Sequence, residues 1–260
     1  MPQQRVVVVG AGVMGLSCAL RLLGAGHRVD VLARDLPLET TSSVAAAIWY
    51  PYLAFPQDKV TAWGAAAYAE FARLAAEGVD SVAMRNGTEL LRRPMPDPWW
   101  IDAVPALERV EPLAPYADAW SFVTPVIDMP RYLAWLTEQV QDAGGTLTRM
   151  GLARLPEGPL VVNCSGLGSR GLAGDESLTP VRGQLTRMIP QSDIAYGVSY
   201  RDVSFVPRRD GFVFQVVGDS DYYGYGIEAT DPNRAEAEHG VTTIASLFPT
   251  VPLVEPQRAT

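Results

Sequence analysis

The pattern of apolar positions at the start of the chain predicts a strand, a turn, a helix and a second strand. Residues 6–9 are four consecutive valines, and the glycine-rich residues 10–15 follow at once. Apolar residues then recur at helical spacing over residues 13–23 and alternate again over residues 29–32. A continuous β-branched run is typical of a strand covered on both faces, so this unit should belong to a buried parallel sheet.

The glycine spacing in this unit is that of a dinucleotide-binding turn. Gly10 permits the tight turn, Gly12 lets the backbone approach a pyrophosphate, and Gly15 lets the helix pack closely on the strand. The helix N-terminus, at Val13 and Met14, offers unpaired N–H groups and the positive end of the helix dipole to phosphates. Because a strand and a helix flank the glycines, the sequence predicts a dinucleotide site here.

Further helices and strands are predicted to the end of the chain. Residues 81–91 indicate a hairpin, because Asn86-Gly87 is a strong signal for a two-residue turn. Residues 160–166 indicate a buried strand that ends in small residues, as where a parallel sheet meets a cofactor. The other predicted helices lie at residues 57–76, from Pro130 to Gly144-Gly145, and at 233–247 after Asp231-Pro232; the other strands lie at 119–126, at Leu147, and at 181–185, 200–206 and 212–217.

Two polar stretches after the glycine unit leave alternatives open. Arg34 and Asp35 follow the second strand, where an acidic residue often holds the adenine ribose, although a solvated loop pair is the alternative. The hydroxyls of Thr40, Thr41 and Ser42 precede three alanines. They could bind phosphate oxygens or, equally well on physical grounds, cap a packed helix.

Composition narrows the class of function. The chain has 260 residues, 48% of them hydrophobic, and its net charge of −8 argues against nucleic acid and anionic membranes as partners. No apolar run reaches the ~20 residues that a membrane span needs, and no signal peptide is expected because the predicted first strand follows the N-terminus at once. Cys18 and Cys164 do not form a disulfide framework, so a cytoplasmic location is expected. With two histidines and no metal-ligand cluster, the chemistry is expected to come from a cofactor.

Three stretches in the right order resemble the D-amino-acid oxidase family of FAD enzymes, and the match extends to about residue 217. The first, residues 6–53, carries the glycine turn, Leu32-Ala33-Arg34-Asp35 and the Thr/Ser–Ala–Trp–Tyr-Pro-Tyr segment. The others are Pro130-Arg131-Tyr132-Leu133-Ala134-Trp135-Leu136 and, within residues 161–184, Asn163-Cys164-Ser165-Gly166 with Pro180-Val181-Arg182-Gly183-Gln184.

The resemblance implies an α/β fold with an FAD-binding Rossmann-like lobe and a substrate lobe built on a mixed or antiparallel sheet. Residues 1–55 and 130–185 would form the FAD-binding lobe, with 230–260 as a candidate third piece. Residues 56–129 and 186–229 would form the substrate lobe.

The resemblance also assigns roles to single residues. Gly10, Gly12 and Gly15, with Val13 and Met14, would face the pyrophosphate, and Arg34 and Asp35 the adenosine. Thr40, Thr41 and Ser42 would bind phosphate or ribose; Ala46, Ala47 and Ile48 would approach the flavin; Leu152 would pack by the adenine and Ser165 would hold the cofactor. Tyr200 would be the catalytic candidate over the substrate pocket, with Tyr52 and Ser204 as further substrate-binding residues.

The implied reaction is hydride transfer from the Cα of a D-amino acid to flavin N5. Oxygen would reoxidise the flavin to give hydrogen peroxide, and the imino acid would hydrolyse to a 2-oxo acid and ammonia. The partners would be the D-amino acid and oxygen, with a homodimer as an open question. The alternatives are a related amine oxidase acting on glycine, sarcosine or a D-acidic amino acid, an incomplete and non-catalytic flavin-binding chain, and, less supported, an NAD dehydrogenase.

The sequence departs from the family pattern where the substrate carboxylate is bound. The family's Gly-Leu-Arg-Pro motif and its final glycine-rich flavin loop are absent, and Ser204 stands where many members have a second pocket tyrosine. Substitute anion-binding candidates are Arg182, Arg201, Arg208 and Arg258, each more typical of a structural or surface residue, while Tyr222, Tyr223 or Tyr225 could fill the gap.

Overall fold

Two β-sheets with helices packed beside them form the part of the chain that the structure describes. The structure is a computed structural model and describes residues 3–51, 53–158, 160–191, 193–194, 196–200, 202–218, 220 and 222–248. The helices are α1 (Val13–Gly24), α2 (Gln57–Ala76), α3 (Met129–Asp142), α4 (Ser169–Ala173) and α5 (Arg234–Ala245). The strands are β1 (Arg5–Val9), β2 (Arg28–Ala33), β3 (Val82–Leu91), β4 (Glu108–Arg109), β5 (Asp118–Ile127), β6 (Thr146–Arg149), β7 (Val161–Asn163), β8 (Leu185–Met188), β9 (Gly197–Tyr200), β10 (Val203–Arg208) and β11 (Gly211–Val216).

The first sheet is parallel, with the strand order β6-β2-β1-β7. Val6 and Val8 of the inner strand β1 are fully buried, as expected for an apolar run in a covered parallel sheet. Helices α1 and α3 contribute Leu16, Ala19 and Leu133 to the same core. The carboxyl ends of β1, β2 and β7 therefore open at one edge of this sheet.

The second sheet has seven strands in the order β4-β5-β3-β9-β10-β11-β8. Its described pairs are antiparallel except for β3 and β9, which run parallel. One of its faces carries the buried Phe205, Phe212 and Phe214, which pack with Ile244 of α5. The contact is close, because a Cβ at Gly240 of α5 would lie 2.2 Å from the Phe214 ring.

The predicted α/β fold, with one parallel and one mixed sheet, is confirmed. The prediction of a helix at residues 57–76 matches α2, and the predicted start at Pro130 lies one residue inside α3. No helix in the described part of the chain is both long and apolar enough to span a bilayer.

Three predictions of local structure are wrong. Residues 81–91 do not turn at Asn86-Gly87 but form the continuous strand β3, because β5 pairs along its whole length and β9 pairs on its other side. Residues 200–206 are not one strand, since the chain turns after Tyr200 and β10 pairs back on β9. The strand predicted from Val181 begins at Leu185, and Val181 forms an isolated bridge to Tyr225.

The boundaries of the two lobes stay a prediction, but the packing of α5 differs from the expected one. Helix α5 lies within residues 230–260, the candidate third piece of the FAD-binding lobe. It packs on the second sheet rather than on the first, because its apolar face, with Ile244, covers the phenylalanines of β10 and β11.

Candidate cofactor and substrate sites

The backbone is closely packed around two glycines of the turn after β1. Gly10 has a φ of +110°, which favours glycine, and a Cβ there would lie 2.3 Å from the carbonyl oxygen of Cys164. A Cβ at Gly15 would lie 1.9 Å from the carbonyl oxygen of Gly10. Glycine at both positions is therefore needed to bring α1 and the end of β7 against the turn.

Gly12 lies close to two hydroxyls at the start of α1. It is the N-cap residue of α1 and has no side chain that would displace them. A Cβ at this position would lie 2.9 Å from Ser42 Oγ and 3.9 Å from Thr40 Oγ1, while the Val13 N–H donates to Ser42 Oγ over 3.1 Å. Gly12, Thr40 and Ser42 all line the cleft described below. Helix N–H groups and hydroxyls that converge on one part of a cleft are the donors that a pyrophosphate requires.

A cleft of about 560 Å³ opens at the carboxyl ends of β1, β2 and β7. Its walls include Met150, Leu167 and Leu172, apolar residues that sequence reasoning missed. Met150 directly follows β6, and the rule that ligands bind beyond the carboxyl ends of parallel strands could have indicated it. The cleft also brings together these residues from the sequence prediction: Gly10, Gly12, Arg34, Asp35, Thr40, Thr41, Ser42, Leu152 and Ser165.

Arg34 and Asp35 lie on the wall of this cleft and pair with each other. The Arg34 Nη2 donates to Asp35 Oδ2 over 2.6 Å, and Nε donates to Oδ1 over 3.0 Å. These hydrogen bonds hold the pKa of the Asp35 carboxyl below its usual range. The side chain of Arg34 is 81% exposed, so the pair has the geometry of the solvated loop pair that the sequence left as the alternative.

Ser165 is fixed at the end of β7 by a small hydrogen-bond network. Its hydroxyl donates to Asn163 Oδ1 over 2.7 Å and lies 3.0 Å from Ser169 Oγ, which accepts from Asn163 Nδ2. The network orders the strand end that forms one wall of the cleft.

The segment after Ser42 leads from the cleft to the second sheet. Instead of a packed helix, residues 37–39 and 41–44 form short 3₁₀ turns, and the chain then runs extended along β5. Ala47, at a φ of +52°, accepts from the Ile127 N–H over 2.9 Å, and Ile48 bridges Val126. Ala46, Ala47 and Ile48 are outside the lining of the cleft, as are Val13, Met14 and Gly15.

The residues predicted to bind substrate do not share one surface. Tyr200 is 6% exposed, with its ring 5.9 Å from that of Tyr116 in the apolar core beside α5. Ser204 lies on the opposite face of the sheet, where it accepts from Ser199 Oγ over 3.3 Å. Burial thus places Tyr200 in the core rather than over a pocket in this structure, which differs from the expectation. Tyr52 lies outside the described residues.

The candidate anion-binding arginines are engaged within the protein. Arg182 pairs with Glu236 over 3.0 Å and donates to Gln184 Oε1. Arg208 is 5% exposed, pairs with Asp210 over 2.6 Å and donates to the Ala45 carbonyl over 3.0 Å. Their charges are already balanced, as in structural residues. Arg201 and Arg258 lie outside the described residues, and Tyr222 and Tyr225 are 76% and 56% exposed on the surface.

Ser204 belongs to a row of polar residues across the second sheet, on the face opposite the phenylalanine core, and sequence reasoning missed the other members of that row. We call Glu89, Ser199, Ser204 and Gln215 the polar row. Glu89 pairs in register with Ser199, Ser199 with Ser204, and Ser204 with Gln215. Burial raises the pKa of Glu89, while hydrogen bonds from Tyr50 and Trp120 oppose that rise. The row arises from strand register, and no local sequence signal indicates it.

Comparisons with known proteins agree with this geometry. A family model described as FAD dependent oxidoreductase (DAO) matches residues 5–259. The chain is 40% identical to the D-amino-acid oxidase of Rubrobacter xylanophilus over 94% of this chain and 77% of the relative, and 40% identical to that of Streptomyces coelicolor over 69% and 58%. The solved L-proline dehydrogenase from P. horikoshii shares the fold, with a TM-score of 0.71 and 14% identity over 96% of this chain and 78% of that chain. The chain therefore belongs to the DAO family of FAD-dependent oxidoreductases.

Proposed function

We propose that the protein is an FAD-dependent oxidase of D-amino acids with oxygen as the electron acceptor. The products would be hydrogen peroxide and an imino acid, which hydrolyses to a 2-oxo acid and ammonia. The observation that carries the proposal is the 40% identity to a D-amino-acid oxidase over 94% of the chain. The alternative of an NAD dehydrogenase loses its support, because the family is FAD-dependent.

The residues of the cleft fit the dinucleotide part of FAD. We assign the pyrophosphate to the part of the cleft that Gly12, Thr40 and Ser42 line, where a phosphate oxygen would replace Ser42 Oγ as the acceptor from the Val13 N–H. Leu152 and Met150 would pack on the adenine, and Asp35 would meet the adenosine ribose by exchanging its exposed partner Arg34 for the ribose hydroxyls. When bound, FAD supplies the two-electron acceptor that the protein side chains lack.

The chain itself contributes position rather than acid–base chemistry. The hydrogen bond to the Ala47 carbonyl and the bridge at Ile48 fix residues 45–48 against β5, so this segment offers a rigid wall for a flat ring. Holding the reacting carbon at a fixed distance from its acceptor is a large source of rate enhancement. Orientation is thus the role that we assign to this segment.

An anaerobic spectrum tests the proposal. The purified chain, loaded with FAD without oxygen, is titrated with mixed D-amino acids and then with the L-enantiomers. We expect the oxidised flavin spectrum to bleach with D-amino acids only, and admitted oxygen to restore it with release of peroxide. Retained flavin that no amino acid reduces would refute oxidase activity.

One observation favours a second candidate, a flavin-binding chain without catalysis. Arg182 and Arg208 are both paired with carboxylates, so neither is available to hold a substrate carboxylate. That candidate predicts that the chain binds flavin stably and that benzoate, a simple carboxylate, does not change the flavin spectrum. A benzoate-induced spectral change would exclude it.

We further propose the two-lobe division given above, with α5 moved to the substrate lobe because of its packing. A cytoplasmic location is proposed because Cys18 and Cys164 are free thiols. Homodimer formation is proposed as well, and light scattering of the purified protein would test it.

A further inference from the structure

The polar row lies on one face of the second sheet and spans four of its strands. In-register partners on neighbouring strands project to the same side, so Glu89, Ser199, Ser204 and Gln215 share that face. Neighbouring strands are about 4.8 Å apart, so the row is roughly 14 Å long. One amino-acid side chain spans only part of that length, so Glu89 and its direct neighbour Ser199 are the members of the row that a single substrate side chain can meet together.

Glu89 is a half-buried carboxylate that has no cationic partner among the residues that the structure describes. Its Oε2 accepts hydrogen bonds from the Tyr50 hydroxyl and, over 2.9 Å, from Trp120 Nε1. No hydrogen bond from a described residue reaches Oε1, and none of the arginine, lysine or histidine side chains that the structure describes forms an ion pair with Glu89. Carboxylates removed from water are usually paired with a cation, and otherwise they bind a proton.

The polar row adjoins the segment that we assign to the flavin. A Cβ at Gly87, two residues from Glu89 on the same face of β3, would lie 4.0 Å from Ile48 Cδ1. Tyr50, two residues beyond Ile48, reaches Glu89 directly. Glu89 is therefore next to the wall along which the reacting end of the cofactor would lie.

We propose that Glu89 selects D-amino acids whose side chain ends in a cation, such as lysine or arginine, with its strand neighbour Ser199 beside the bound cation. This inference rests on the proposed function. Glu89 would bind the cation at the end of the substrate side chain and not the reacting α-amine. Hydride loss from Cα needs the lone pair of a neutral amine, and a carboxylate would hold that amine in its protonated, unreactive form.

The test compares D-lysine with D-norleucine, which lacks only the terminal ammonium. The FAD-loaded protein, Glu89→Gln and the control Glu108→Gln are measured for kcat/KM with both substrates. Glu108 carries the same charge and is exposed on β4. We expect D-lysine to be preferred about 10- to 100-fold, the size of a charged hydrogen bond, and the preference to vanish in Glu89→Gln only.

A pH profile separates recognition from a structural role. Glu89 is contacted by the Tyr50 phenol, the Trp120 indole and its strand neighbour Ser199, and the Arg109 guanidinium lies behind the indole, 5.1 Å from its centroid. We expect the preference for D-lysine to fall as Glu89 becomes protonated at lower pH, and the variant to show no such change.

The outcomes are distinct. Equal kcat/KM for the two substrates in the unsubstituted protein, or an equal loss for both in Glu89→Gln, would overturn this inference and leave the oxidase intact. Failure of every D-amino acid to reduce the flavin would overturn the oxidase and this inference together.

Discussion

The substitution Gly15→Ala tests the close packing of α1 on the glycine turn. The new Cβ would lie 1.9 Å from the carbonyl oxygen of Gly10, whereas ordinary contact begins at 3.4 Å. Helix α1 would have to move by about 1.5 Å, because the obstacle is backbone that cannot rotate away. Overpacking costs about 1–3 kcal/mol in a packed core, so we expect the free energy of unfolding to fall by about 3 kcal/mol, at the upper end of that range.

The same displacement should weaken FAD binding. It moves the first N–H groups of α1 relative to Ser42 Oγ, which now accepts from the Val13 N–H over 3.1 Å. Loss of one charge-assisted hydrogen bond to phosphate corresponds to roughly a 10- to 100-fold rise in Kd. Urea unfolding followed by circular dichroism and a fluorescence titration with FAD measure the two effects.

Gly24→Ala is the matched control in the same helix. A Cβ there meets nothing within 4 Å, and the residue is not in the left-handed region. We expect it to raise the free energy of unfolding by up to about 1 kcal/mol and to leave the Kd for FAD unchanged. Surface substitutions usually change the free energy of unfolding by no more than about 0.5 kcal/mol. A change that small in Gly15→Ala would refute the packing argument.

Four further substitutions have distinct expected results. Gly12→Val should abolish FAD binding while circular dichroism shows a retained fold, because the side chain would displace Ser42 and enter the part of the cleft assigned to the pyrophosphate. Tyr200→Ala should lower the free energy of unfolding by about 3–5 kcal/mol, the cost of a large cavity, as measured in urea. Arg208→Met should lower the free energy of unfolding by about 3–5 kcal/mol, because it removes the nearer of the two cations from the partly buried Asp210 and also ends the ion pair with the buried Asp128; an Arg208→Met, Asp210→Asn double variant should recover part of that loss. Glu89→Gln should gain stability relative to the unsubstituted protein as pH rises, because burial raises the pKa of Glu89 and the folded unsubstituted protein loses stability when that carboxyl is deprotonated. A difference in melting temperature between the two proteins that is the same at low and high pH would contradict this.

The parts of the fold that short-range pattern determines could be predicted from the sequence. Short stretches of sequence are enough to indicate the valine run of β1, the glycine turn and the periodic helices α1, α2 and α3. The cleft could be anticipated for the same reason, because Gly12 and Ser42 belong to neighbouring segments at one edge of a parallel sheet.

The hairpin predicted at Asn86-Gly87 shows where local pattern fails. Glycine there serves packing, since a Cβ at Gly87 would lie 3.3 Å from Thr124 Cγ2. Pairing on both sides of β3 then outweighs the local preference for a turn. The position of Tyr200 was missed for a related reason, because the face that a strand residue occupies depends on where its strand begins.

The sequence singled out Ser204 by resemblance, but it could not predict that Ser204 lies in a row with Glu89, Ser199 and Gln215. The row depends on the register between β3 and β9, whose paired residues Glu89 and Ser199 are far apart in the chain. Such long-range register leaves no periodic signal around either residue.

The parallel pairing of β3 with β9 also constrains how the molecule folds. Parallel neighbours need a long crossover, and here the connection from Leu91 to Gly197 contains α3, β6 and β7, which complete the first sheet. Neither sheet is a continuous piece of chain, so neither can form fully during synthesis before the other has begun. Contacts of such high sequence separation slow folding. The two sheets should therefore fold late and in a single cooperative transition, and no cut at one position would release either of them as an intact folding unit.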